Sequence, residues 1–170
     1  MKKAFSLIEM MLVLTIISIL IGTMKVNIQR KKLEADAKKI VELARVCYSA
    51  IMMYYLRNGG TFPSIVAGGR LENEPDLKPY CPAGVKSRRS DVKISGFNDM
   101  FIQSNLNVYG IHGIFRFYIE FYKNVELKNE VLKQLEESGI GGKIESEERN
   151  DIGLSSVYVY LIKLGTSYIH

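Results

Sequence analysis

Residues 1–24 read MKKAFSLIEMMLVLTIISILIGTM, and this stretch decides the fold of the 170-residue chain. Two lysines precede an apolar run that contains one charged residue, Glu9. The run reaches the roughly 20 residues that a helix needs to cross the hydrocarbon of a bilayer. A cleaved secretory signal is the less favoured alternative, because Gly22-Thr23-Met24 is not a small-residue cleavage site and leads directly into a charged helical pattern. We therefore predict a membrane-spanning helical segment over 5–24.

The apolar pattern changes from continuous to periodic after Lys25. Between Phe5 and Arg57 there is no proline and no glycine except Gly22, so nothing ends the helix before Asn58-Gly59-Gly60. The sequence predicts one helix of about 53 residues, about 80 Å long at 1.5 Å per residue. Its amphipathic half, 25–57, should bury one stripe of residues spaced by three and four: Leu33, Ala37, Ile40, Ala44, Cys47, Ile51 and Tyr54.

The rest of the chain is long enough for one modest head domain. Residues 58–91 contain all four prolines of the chain and several glycines, which predicts a connecting loop region. Within the head, 92–170, alternating apolar residues predict strands over 92–95, 100–108, 114–122 and 156–164. A helix over 125–138 should begin at the N-cap Asn124 and turn Val125, Leu127, Val131, Leu132 and Leu135 inward. We predict an α+β fold, with an antiparallel sheet packed on the amphipathic half of the long helix.

The order of residues at the start of the chain carries a family resemblance. Lys2-Lys3-Ala4 followed by Phe5-Ser6-Leu7-Ile8-Glu9 resembles the processing and assembly signal of type IV pilins and pseudopilins. The end of the predicted helix, Arg57 to Pro63, is similar to the helix-to-head junction of that family. The resemblance implies a pilin-like fold and a leader, 1–4, which contains Lys2 and Lys3. It also implies cleavage between Ala4 and Phe5, with alanine where the family usually has glycine, and methylation of the new amino terminus at Phe5.

The resemblance also implies partners and a location. A prepilin peptidase would process the chain, and other pilin subunits would assemble with it through an inner-membrane platform and its cytoplasmic ATPase. The precursor would sit in the inner membrane as a single-pass protein with its head outside the cytoplasm, and would then enter an extracytoplasmic filament.

Glu9 has two physical interpretations. It lies four residues after Phe5, about one helical turn, and it can complement the positive end of its own helix dipole. In a bundle of such helices it can instead meet the Phe5 amine of a neighbouring subunit, so that each charge satisfies the other in an apolar environment. The family resemblance favours this second interpretation, an assembly role for Glu9.

The two cysteines are a candidate disulfide. Cys47 falls on the predicted buried stripe, where a cysteine often serves as a small apolar residue. Cys81 lies in the connecting region. Export of the head, as the resemblance implies, would place both in an oxidising compartment and would favour a Cys47–Cys81 pair.

Two charged clusters remain as candidates for binding. Residues 139–153 faintly resemble the calcium loop of major pseudopilins, with Glu145, Glu147, Glu148 and Asp151 as weak candidate ligands, but a solvated acidic loop is the favoured interpretation. A basic cluster in the connecting region can contact phosphate, as in nucleic-acid binding, although a solubilising loop is favoured; it comprises Lys86, Arg88, Arg89 and Lys93. Basic residues crowd the first half and acidic residues the end, which fits either a solvated surface or complementary faces of identical subunits.

No catalytic arrangement is apparent. The two histidines, His112 and His170, are far apart, and no nucleophile–base pattern, phosphate-binding glycine loop or zinc pattern occurs. We predict a non-enzymatic structural subunit of a type IV pilus or a pseudopilus of the type II secretion kind, without a cofactor. A minor or tip pilin that binds DNA or a surface, and a single-pass membrane protein that does not polymerise, are the alternatives.

Overall fold

The computed structural model describes residues 6–63, 65, 69–83, 85–106, 113–140, 142–149 and 153–163. Its elements in chain order are helix α1 (Leu7–Arg57), a 3₁₀ turn (Lys78–Tyr80), α2 (Arg89–Val92), β1 (Phe97–Leu106), β2 (Gly113–Tyr122), α3 (Val125–Ser138), β3 (Lys143–Arg149) and β4 (Leu154–Lys163). The chain divides into two compact units, Met1–Ala35 and Asp36–His170. Helix α1 contributes residues to both units.

Helix α1 confirms the prediction of one long helix, because it runs for 51 residues. It ends at the predicted glycines: the backbone N–H of Gly60 donates to the Tyr55 carbonyl at 2.9 Å, and both Gly59 and Gly60 have positive φ angles. Glycine adopts that conformation without a Cβ clash, which is why it ends helices. Within the second unit, α1 buries Ala37, Ile40, Ala44, Cys47 and Ile51 of the predicted stripe, and also Val41 and Ala50. Leu33 and Tyr54, at the two ends of the predicted stripe, are only half-buried.

The head contains one four-stranded antiparallel sheet with the strand order β1-β2-β4-β3. Alternate residues of the central strand β2 face the core, and Phe115, Phe117, Ile119 and Phe121 are each at most 3% exposed. Phe97, Met100 and Ile102 of β1 and Val157 and Val159 of β4 are buried too. These residues and the α1 stripe supply the core of one compact unit, which confirms the predicted α+β, pilin-like fold.

Two strand predictions need correction. Residues 92–95 form no strand: Val92 ends α2, and Lys93 closes that turn in the left-handed conformation at φ 53°. Strand β3 lies where the sequence predicted an acidic loop. Its sequence, KIESEER, has only one large apolar residue, Ile144, so it gives almost no alternating signal. Such charge is typical of an edge strand, where it opposes pairing with other chains.

Helix α3 begins and ends at the predicted residues. Asn124 Oδ1 accepts the backbone N–H of Leu127 at 3.0 Å, and Gly139 ends the helix at φ 66°. Leu127, Val131 and Leu135 are buried as predicted, whereas Leu132 is half-buried. The prediction that Val125 points inward is wrong, since it is 56% exposed. Two residues before Leu127, it lies about 200° around the helix from that residue.

The outer edge of β1 is covered by the connecting region. The backbone N–H of Ile102 donates to the Gly69 carbonyl at 2.7 Å, and that of Met100 donates to the Ser87 carbonyl at 3.2 Å. These bonds place the segment around Ser87 beside β1. Edge strand β3 lies at the opposite side of the sheet.

Candidate functional site

The first turn of α1 is held by hydrogen bonds between Ser6 and Glu9. The backbone N–H of Ser6 donates to Glu9 Oε2 at 2.8 Å, and the backbone N–H of Ile8 donates to Ser6 Oγ at 3.2 Å. This reciprocal arrangement is a capping box, which satisfies N–H groups that have no partner at the start of a helix. The Glu9 carboxylate also lies at the positive end of the helix dipole. Within a single chain, Glu9 therefore caps its own helix.

The apolar residues on both sides of Glu9 are exposed all around α1. Leu7 and Ile8 are 78% and 74% exposed, and Val26 and Ile28 are still 64% and 65% exposed. Among the described residues, α1 is the one helix that is long and apolar enough to cross a membrane, although a signal sequence passes the same test. A soluble monomer seldom leaves so large an apolar surface in contact with water. This segment needs lipid or other apolar helices around it.

The hydroxyl groups of this apolar segment bond to the helix itself. Thr15 Oγ1 donates to the Met11 carbonyl at 2.8 Å, and Ser18 Oγ donates to the Leu14 carbonyl at 2.8 Å. Thr23 Oγ1 bonds in the same way to its own helix. In hydrocarbon, a polar group without a hydrogen-bond partner is costly, so this arrangement suits an apolar environment. Glu9 is then the one charged side chain between Ser6 and Met24.

Two lysines, a glutamate that caps the first turn of α1 and a long apolar run follow one another at the start of the chain. The family model described as the prokaryotic N-terminal methylation motif matches residues 1–24. The chain carries a type IV prepilin-type signal. No curated protein and no solved structure matches the chain. The prepilin-type signal thus covers the apolar part of α1 and leaves the head without a matched relative.

Only part of the prepilin-type signal lies among the residues that the structure describes. Lys2, Lys3, Ala4 and Phe5 lie outside the described residues, so cleavage and methylation stay predictions. Glu9 lies at the third position of α1, and its assembly role stays a prediction too. The Ser6 hydroxyl, which is the other half of the cap, was not predicted. The S-x-x-E spacing of residues 6–9 is the sequence pattern that indicates it.

The two cysteines lie in one neighbourhood of the head as free thiols. Burial, followed by the charges of Cys81 and Glu72, raises the pKa of Cys47. Burial and then Glu72 raise the pKa of Cys81 to about 11. Next to Cys81, the ring of Tyr80 packs edge-on against Tyr54 of α1, with centroids 6.0 Å apart. The turn that carries Cys81 therefore packs on α1, and the disulfide stays a prediction.

Three of the four candidate calcium ligands, Glu145, Glu147 and Glu148, lie on β3 and already have partners. The Tyr160 and Tyr158 hydroxyls bond to Glu145 and Glu147, and Lys128 Nζ pairs with Glu148. No group of three or more metal-binding side chains occurs among the residues that the structure describes. Asp151 lies outside that set, as do both histidines.

The basic cluster lines an open cleft of about 540 Å³ beside β1. Arg88, Arg89 and Lys93 line it from the connecting region and are exposed. Arg70 Nη2 pairs with Asp99 Oδ2 at 3.0 Å, and the Arg70 guanidinium lies 5.1 Å from the centre of the Phe101 ring. Lys86 does not line the cleft. Arg70 and Asp99 were not predicted as part of this site, because they are 29 residues apart in the chain and only the fold brings them together.

Proposed function

We propose that the chain is the precursor of a filament subunit of a type IV pilus or a pseudopilus. A prepilin peptidase removes residues 1–4 and methylates Phe5, and the processed chain polymerises with other subunits from the inner membrane. The platform and the cytoplasmic ATPase that drive this step belong to the same proposal, as does a head outside the cytoplasm. The prepilin-type signal itself supports a pilin-like or pseudopilin precursor.

One observation carries the proposal: the signal continues into a helix whose apolar side chains are exposed on all sides and whose hydroxyls are internally bonded. Such a helix is suited first to lipid and then to a bundle of identical helices. Neither environment requires a catalytic group. The function is therefore mechanical, and the head provides the outer surface of the filament.

The intact mass of the membrane-extracted chain tests this proposal. We expect the mass of a chain that begins at Phe5 and carries one methyl group, produced only in cells that contain the peptidase. A chain that begins at Met1 in those cells would contradict processing. Replacement of Ala4 by glycine, the usual residue of the family, serves as the control and should be processed at least as completely. Replacement of Ala4 by leucine should block the cut.

A further inference from the structure

We propose that the basic cleft binds the acidic edge of a second copy of this chain. The basic cleft is the surface lined by Arg70, Arg88, Arg89, Ser90, Lys93 and Asp99. The acidic edge is the place where the end of α3, with Glu136 and Glu137, meets edge strand β3. The inference rests on the proposed function, because it names the head surfaces through which subunits of the filament meet.

The cleft carries positive charge that the described side chains do not neutralise. Among the described residues that line it, Asp99 is the one acid, and it pairs with Arg70. No described carboxylate pairs with Arg88, Arg89 or Lys93. Three cations in one open cleft attract anions, and arginine in particular binds carboxylates through two parallel hydrogen bonds.

Arg70 is held in place at the wall of the cleft. Its guanidinium lies over Phe101 and bonds to Asp99 Oδ2. Its Nε and Asp99 Oδ1 have no hydrogen-bond partner among the described residues, but both atoms are buried, so a carboxylate that enters the cleft does not reach them. The Arg70–Asp99 pair therefore fixes the shape of the cleft, and Arg88, Arg89 and Lys93 are the cations that remain to contact a partner.

The acidic edge carries negative charge at the end of α3 that no basic residue of the last helical turn offsets. Helix α3 ends with Glu136 and Glu137 in its last turn and has no basic residue there. Carboxylates at that end face the negative pole of the helix dipole and destabilise it, whereas a cation would stabilise it. Both side chains are exposed. Glu136 also lines a cavity of about 210 Å³ with Ile144 of β3, which places the helix end and the edge strand side by side.

The sheet topology places the two surfaces on opposite sides of the head. The basic cleft borders β1, and the acidic edge includes β3, at the other end of the order β1-β2-β4-β3. One copy therefore cannot satisfy its own cleft. A contact between unlike surfaces of identical chains is heterologous, and it continues from copy to copy instead of closing as a dimer. This is the kind of contact that a filament needs.

Zero-length carbodiimide cross-linking locates the contact. An equal mixture of unlabelled and ¹⁵N-labelled processed full-length chain in detergent micelles is cross-linked at low salt and digested. We expect mixed-label peptides that join Lys93 to Glu136 or Glu137. Their yield should fall about tenfold at 1 M salt, where screening acts over about 3 Å. If Lys93 forms no mixed-label link to these residues, or if salt does not reduce the links, the proposal is wrong.

Charge reversal provides the second measurement. The cleft variant Arg88→Glu/Arg89→Glu and the edge variant Glu136→Lys/Glu137→Lys should each lower self-association, measured by sedimentation, by about tenfold, since like charges then meet. Lysines at the end of α3 also suit the helix dipole, so the edge variant should fold. An equal mixture of the two variants should restore association, because reversed and native surfaces then alternate.

The matched control for the cleft variant is Lys78→Glu/Lys123→Glu. It changes the net charge by the same amount at exposed residues outside the cleft, and association should not change. Failure of the mixture to restore association would overturn the proposal. A second outcome would also overturn it: inorganic phosphate protects Lys93 from chemical modification in a chain that forms no cross-links. A phosphate ligand would then be the occupant of the cleft. The proposed function fails separately, through an unprocessed amino terminus.

Discussion

At the scale of single residues, Glu9 is shared between two tasks. Within one chain its carboxylate accepts the backbone N–H of Ser6, and in a filament it is proposed to meet the Phe5 amine of a neighbour. The cap occupies one carboxylate oxygen, Oε2, so the other oxygen can add a charge-assisted contact to the amine on assembly. The variants below separate the two tasks.

We expect Glu9→Gln to insert into the membrane and to reduce filament assembly at least tenfold, because an amide has no charge to offer an amine. Ser6→Ala removes the hydroxyl half of the cap and keeps the carboxylate, so assembly should remain near the wild-type level. Assembly is measured as the sheared or pelleted filament fraction. Equal losses in the two variants would show that capping alone matters. Glu42→Gln, an exposed glutamate of α1, is the control.

The thiol of Cys81 should react slowly and with an unusual pH dependence. Its pKa is raised from 9.0 to about 11, so at pH 8 the reactive thiolate is about 100-fold rarer than in an ordinary thiol. In the reduced, folded chain, the rate of Cys81 alkylation should rise about tenfold per pH unit up to pH 10. In denaturant the rate should level off near pH 9. A plateau near pH 9 in the folded chain would contradict the raised pKa.

The pairing of Cys47 with Cys81 stays a prediction. In exported protein we expect a disulfide that closes a loop of 34 residues and stabilises the head by about 4 kcal/mol in the chain-entropy model. Non-reducing electrophoresis after alkylation of free thiols measures it, with Cys81→Ser as the control. Two free thiols in exported chains would show that Cys47 is only a core residue.

At the scale of elements, α3 depends on a cap that also joins it to the loop before β1. Asn124 Oδ1 accepts the backbone N–H of Leu127, and its Nδ2 donates to the Ser95 carbonyl at 3.1 Å. We expect Asn124→Ala to lower the free energy of unfolding by about 1–2 kcal/mol, since both bonds are lost. Thermal unfolding followed by circular dichroism measures this. Asn129→Ala, exposed within the same helix, should change stability by less than about 0.5 kcal/mol.

At the scale of the whole molecule, the core residues lie in the second compact unit. Every buried residue of α1 lies at or after Ala37. We therefore expect residues 36–170 to be soluble and to unfold cooperatively without detergent, whereas the full chain requires detergent or lipid. A fragment over 42–170 loses Ala37, Ile40 and Val41 from the core. Its free energy of unfolding should be lower by at least about 3 kcal/mol. Equal stability of the two fragments in denaturant titrations would contradict this account.

Local and periodic features of the sequence were sufficient to predict much of the molecule. The long helix, its glycine end, the Asn124 cap and strand β2 depend on neighbouring residues or on a simple period, and the structure confirms them. The prepilin-type signal is also a linear pattern, so it could be recognised from residues 1–24 alone. Strand β3 was not predictable in this way, because its charged residues conceal the alternation and its partner β4 follows it in the chain.

The sequence by itself determined where α1 runs, which part of it is apolar on all sides and where Glu9 lies, because each of these follows from residues within a few turns of one another. Only the tertiary structure decided that Arg70 and Asp99 meet beside the basic cluster, that Glu136 lies next to β3, and that the two charged surfaces stand on opposite sides of the sheet. Those relations depend on contacts between residues far apart in the chain, which hydrophobic periodicity does not encode.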